Sequence, residues 1–98
     1  MLRLCESLTE LGFMSADPYA ARISALAATY GFEQSFALFW VQYVDENPVA
    51  AVSRLDGNMS VFCGANTDFE ELAAFIKTVG FSVLACREEN MKKLTVKI

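Results

Sequence analysis

A chain of 98 residues, 54% hydrophobic, with a formal charge of −4 and no histidine, has room for one hydrophobic core and not for two. Its eight basic residues are scattered, with Lys92 and Lys93 the only adjacent pair, which argues against nucleic acid or an anionic membrane surface as a partner. No apolar run reaches the roughly 18 residues that span a bilayer, and no signal-peptide pattern opens the chain, so a cytoplasmic location is expected.

The hydrophobic fraction exceeds the roughly 45–50% of ordinary domains. A domain this small leaves about a third of its unfolded surface in contact with solvent. The surplus predicts an association surface, facing a copy of the chain or a second domain. Cys5, Cys63 and Cys86 are odd in number and widely spaced among apolar neighbours. They read as small core residues in a reducing compartment and not as a disulfide framework.

Along the chain, Leu4, Leu8 and Leu11 fall at helical spacing, while the first five residues equally suit an edge strand. Asp17-Pro18 is a helix start, because the carboxylate can accept from free N–H groups and proline sits where no donor is needed. Tyr19, Ile23, Leu26, Ala27 and Tyr30 then share a face, and Gly31 suits the end. Phe36 to Val44 is apolar on both alternations and reads as an interior strand. A polar turn at Asp45-Glu46-Asn47-Pro48 leads to a second strand, Val49 to Leu55. Asp56-Gly57 supplies the positive φ of a tight hairpin into a third strand, Met59 to Cys63. Thr67-Asp68-Phe69-Glu70 matches a capping box with threonine as the cap. Phe69, Leu72, Ala73, Ile76 and Val79 form the stripe of the helix that follows, closed by Gly80. Phe81 to Cys86 is a fourth strand candidate. Glu88-Glu89-Asn90 reads as a solvated turn, and alternating Leu94, Val96 and Ile98 as a half-exposed fifth strand at an edge. The fold class expected is α+β, built on a three-strand antiparallel meander.

The absence of histidine removes Ser-His, Cys-His and most metal arrangements, so no catalytic or metal-ligating residue is assigned. The carboxylates fall at turns, caps and solvated helix faces, and Glu70 and Glu71 suit the first turn of a helix. One stretch invites an anion, the strand-to-helix junction Cys63-Gly64-Ala65-Asn66-Thr67, where amides at a helix start point outward. It has a single glycine, and Asp68, Glu70 and Glu71 repel a negative ligand there. Trp40 with Phe36, Phe39 and Tyr43 suggests a stacking surface, but no Arg or Lys is interleaved, so the core reading is preferred.

The order of elements resembles the N-terminal half of the GNAT acetyltransferase superfamily. The residues carrying the resemblance are Phe36-Ala37-Leu38-Phe39-Trp40-Val41-Gln42-Tyr43, Pro48-Val49-Ala50-Ala51-Val52-Ser53-Arg54-Leu55-Asp56-Gly57, and Phe69-Glu70-Glu71-Leu72-Ala73-Ala74-Phe75-Ile76 ending at Gly80-Phe81, within residues 17 to 86. They are similar to the leading, cofactor-free domain of some bacterial GNAT-like proteins. Active members carry Arg or Gln, two variable residues, then Gly-x-Gly or Gly-x-Ala after the meander, and its amides hold the acetyl-CoA pyrophosphate. Cys63-Gly64-Ala65-Asn66-Thr67-Asp68 departs from that pattern, so no cofactor-binding residue is carried over. The chain also stops before the family's second half with its frequent tyrosine acid, so no catalytic residue is carried over.

The resemblance implies a non-catalytic GNAT-like domain, without cofactor in this segment, acting in dimerisation or packing against an acetyltransferase domain. Two alternatives stand beside it. One is an acyl-CoA-dependent N-acyltransferase acting on an amine, with acetyl-CoA as cofactor. The other is a ferredoxin-like regulatory module binding a small molecule, which is favoured if Met59 to Cys63 is not a strand.

Overall fold

In the computed structural model, which describes residues 1–98, five strands form one sheet in chain order: β1 (Leu2–Leu4), β2 (Ala37–Val44), β3 (Asn47–Leu55), β4 (Asn58–Cys63) and β5 (Val83–Ala85). The first four run antiparallel, and β5 lies parallel to β4. Parallel pairing follows from the connection: α2 (Phe69–Val79) separates β4 from β5 and carries the chain back to where β4 began. The other helices are α1 (Pro18–Tyr30) and α3 (Glu88–Thr95), with a short 3₁₀ turn at Leu8–Leu11. The fold is thus α+β around an antiparallel meander.

Both hairpins close with two residues. Val44 pairs with Asn47 across Asp45 and Glu46, whose φ values are 51° and 68°. Left-handed geometry at both central residues matches the twist of the flanking strands. The turn is therefore shorter than Asp45 to Pro48, and Pro48 belongs to β3. A bulge at this point makes that possible: Gln42 registers on Ala50 and Tyr43 on Pro48, leaving Val49 unpaired on β2. At the second hairpin the positive φ falls on Asp56, at 53°. Gly57 serves a different need, because a Cβ there would lie 2.6 Å from Ser82 Oγ. Its carbonyl receives the N–H groups of Ser82 and Val83, at 2.8 and 3.2 Å, which docks β5.

The apolar runs of the meander are explained by cover on both faces. Ala37, Phe39, Val41, Ala51 and Phe62 meet Ala20, Ile23 and Ala27 of α1, with Cys5 and Leu11. On the other face Val49, Ala50, Val52, Met59 and Val61 meet Leu72, Ala73 and Ile76 of α2, with Cys86 and Leu94. A sheet buried on both faces consumes much of the apolar surplus that composition alone assigns to a partner.

At the start of the chain the edge-strand reading is the one that forms, at Leu2–Leu4, and of the helical spacing Leu4, Leu8, Leu11 only a 3₁₀ turn at Leu8–Leu11 remains. The end of the chain corrects the sequence reading. Glu88-Glu89-Asn90 is the first turn of α3, not a solvated turn, and no fifth strand forms from Leu94, Val96 and Ile98. Three alternating residues fit either structure. What decides here is the i, i+4 pair Asn90 and Leu94, both buried, with acids in the first turn and lysines in the last to match the helix dipole. Val96 is left 86% exposed. The edge on that side of the sheet is β5.

Candidate functional site

The strand-to-helix junction is the place where sequence could have put an anion, and three of its N–H groups, those of Gly64, Thr67 and Asp68, already have acceptors within the chain. Gly64 N–H donates to the Val49 carbonyl at 2.8 Å. A Cβ at Gly64 would sit 2.7 Å from that oxygen, so glycine is required by close approach of two backbones. Thr67 N–H donates to the Gly64 carbonyl at 3.3 Å. The Thr67 hydroxyl contacts the carbonyls of Gly64 at 2.8 Å and Val49 at 3.2 Å. Thr67 therefore ties the loop to β3 and is not the helix cap. The cap is Asp68, which accepts from Glu71 N–H at 3.2 Å.

Behind this loop stands a side chain that the sequence reading overlooked. Gln42 is fully buried. Its Nε2 donates to the Asp68 carbonyl and to Glu71 Oε1, both at 2.9 Å, and its Oε1 accepts from Asp68 N–H at 3.1 Å. Glu71 also holds the Met1 ammonium at 2.8 Å, and that ammonium donates to the Tyr43 carbonyl at 2.7 Å. The signal was present: Gln42 is the one amide in the apolar run Phe36 to Val44, and a buried amide demands partners. Chemically the arrangement is a clamp. It spends its donors on fixing β1, β2 and α2 together.

A surface groove of about 670 Å³ lies past the end of β5, lined by Pro18, Tyr19, Glu88, Glu89 and the cations Arg87, Lys92 and Lys93. Much of its positive charge is compensated in place. Arg87 pairs with Asp17 at 3.0 Å and approaches Glu89 at 4.0 Å, and Lys92 reaches Glu88 at 3.7 Å. Asp17 also caps α1, accepting from Tyr19 and Ala20 N–H at 2.7 and 3.2 Å, so one carboxylate joins the starts of α1 and α3.

The three thiols are free. Burial pushes Cys5 up to about 12, with Glu10 adding to it. Burial likewise pushes Cys63 to about 12, reinforced by nearby Cys86, and raises Cys86 itself. Thiols held this far from ionisation are poor nucleophiles at neutral pH.

The aromatic residues of β2 do not share a surface. Phe39 and Tyr43 face α1, where Phe39 meets Phe32 edge-on at 5.5 Å. Trp40 faces α2 and meets Phe75 at 5.0 Å. Phe36, beyond the strand, meets Tyr30 at 5.6 Å. Each ring already has an intramolecular partner.

Comparison with protein-family models, with curated proteins and with solved structures found no match for this chain.

Proposed function

We propose that this chain is a non-catalytic GNAT-like domain that works by association, with a second copy of itself or with a second domain. The observation that carries the reading is that three of the junction's N–H groups are turned inward. Gly64, Thr67 and Asp68 give their N–H groups to Val49, Gly64 and Gln42. A diphosphate needs such donors free. The order of elements, a strand, helical turns, a three-strand meander, a helix and a strand, supports the GNAT-like part. Exposed Met1, Leu4 and Leu8 support association.

The ferredoxin-like alternative depends on Met59 to Cys63 not being a strand, and these residues pair with both β3 and β5. The N-acyltransferase alternative has one feature in its favour: the groove flanked by Arg87 and Lys93 lies past the carboxyl end of β5 in the parallel pair, where ligands of parallel sheets commonly sit. Thermal denaturation with increasing acetyl-CoA separates the readings. No shift is expected up to millimolar ligand. Saturable stabilisation, which reaches about 2.7 kcal/mol at a hundredfold excess over Kd, would overturn the association reading in favour of the enzyme.

A further inference from the structure

Successive residues of an antiparallel strand turn their backbone groups alternately toward and away from the neighbouring strand. In β1 the alternation is fixed at both ends. The Met1 amine and carbonyl bond to Tyr43, at 2.7 and 2.8 Å, and Cys5 N–H donates to the Phe39 carbonyl at 2.7 Å. Arg3 registers on Val41 midway between them. Met1, Arg3 and Cys5 therefore face β2, and the N–H and C=O of Leu2 and Leu4 face away from the sheet. The outward row of donors ends there, because Glu10 Oε2 takes the N–H groups of Glu6 at 2.7 Å and Ser7 at 3.1 Å. Nothing pairs with this side of β1, the first strand of the sheet, and Leu4 is 50% exposed.

We infer that β1 pairs antiparallel with β1 of a second copy of this chain, about a two-fold axis at Arg3. The inference rests on the association reading and gives it a place. In this register Leu2 of each copy stands opposite Leu4 of the other, and each such pair exchanges two N–H to C=O bonds. The outward groups are self-complementary: one residue on either side of the axis supplies a donor and an acceptor. Joining β1 edges closes the assembly at two copies and continues the five-stranded sheet across the contact, whereas joining β1 to β5 would propagate without end. The β5 edge is also poorer. Val83 N–H is already bound to Gly57, and alternation in the three-residue strand leaves Leu84 as its outward residue.

Leu2 and Trp40 both pack against the α2-face core, and Leu4, opposite Trp40 in register, shares that face. The contact thus adds two apolar cross-strand pairs to an existing layer. Arg3 is the opposing element, since it meets its own copy across the axis. Its guanidinium lies 5.0 Å from the centre of the Tyr43 ring, and salt screens the repulsion that remains. So short a ladder buries less than the roughly 1,200 Å² of a durable interface, so dimers form and dissociate with concentration.

Sedimentation velocity on the chain with its own amino terminus, from micromolar to millimolar and at low and high salt, tests this. The wild type is expected to move from one to two copies, at lower concentration in high salt. Leu4→Pro deletes an outward donor without touching a bond to β2, and is expected to stay monomeric. Leu4→Lys, which keeps every backbone group, is expected to do the same and decides the matter if proline disturbs the fold. Arg3→Thr removes the repulsion and is expected to tighten association about two- to fivefold. If the wild type dimerises and both Leu4 variants dimerise equally well, the β1 contact is wrong and association stands through another surface. A wild type that stays monomeric throughout overturns both.

Discussion

On the α1 face, Ile23 and Ala27 rest on Phe39, Val41 and Phe62, and the buried hydroxyl of Ser53, in the middle of that face, has no partner. On the α2 face, the buried amide of Gln42 has three, two of them on the backbone of Asp68. Against the sheet α1 is held by shape, its one polar tie running from the Asp17 cap to Arg87 beside α3, whereas α2 is additionally pinned to the sheet at its first turn. Apolar contact resists sliding weakly, while a bidentate amide fixes both the position and the rotation of the residue it holds. The pinned helix is also the one that starts at the candidate site, so the Gln42 clamp determines what that junction can do.

The largest effect is expected where the face depends on shape alone. Phe39→Ala removes a ring buried between α1 and Phe32 and should cost about 3–5 kcal/mol in urea unfolding. Gln42→Leu comes next. It conserves much of the volume but strands Asp68 N–H, while the Asp68 carbonyl keeps Leu72 N–H, at about 1–3 kcal/mol. Hydrogen exchange should then quicken at residues 68 to 72 with α1 unaffected, and equal loosening of both helices would mean that the clamp does not act locally.

Alkali probes both faces together, because Cys5 lies among the α1-face residues and Cys63 against those of the α2 face. Each has a folded value near 12 against an ordinary 9.0. The folded state therefore keeps its protons to higher pH than the unfolded state does. Stability from this source is complete below about pH 9 and is lost between about 9 and 12. Cys5→Ala and Cys63→Ala should each flatten part of that decline in a urea series across pH 8 to about 11. A slope unchanged by either substitution would place the alkaline loss elsewhere.

The meander, α1 and α2 were legible because their signals are redundant. Asp17-Pro18 and Gly31 bracket α1, and the strands between two-residue turns are apolar on both alternations. The misread elements each had one weak signal. Thr67 and Asp68 are adjacent candidates for one cap, and the choice turned on whether the Thr67 hydroxyl reached Val49, which is distant in sequence. Leu94, Val96 and Ile98 alternate over too few residues to separate strand from helix. The groove beside Arg87 and the outward backbone of Leu2 and Leu4 left no mark in composition, since both depend on register. Gln42 was visible as a letter, but its meaning lay in the Asp68 backbone, which pattern reading does not reach.

The smallest effect has the sign least expected of a buried polar residue. Ser53 is 1% exposed, and its Oγ lacks a partner. It lies in β3, registered between Phe39 and Ser60. A hydroxyl withdrawn from water without a new hydrogen bond costs about 1–3 kcal/mol, whereas the methyl of alanine costs nothing to bury and leaves only a small void. Ser53→Ala is therefore expected to be neutral or to stabilise by up to about 1 kcal/mol, in contrast to the loss at Gln42. If Ser53→Ala instead destabilises by as much as Gln42→Leu, the hydroxyl has a partner in solution, and the α1 face is pinned by polar contact after all.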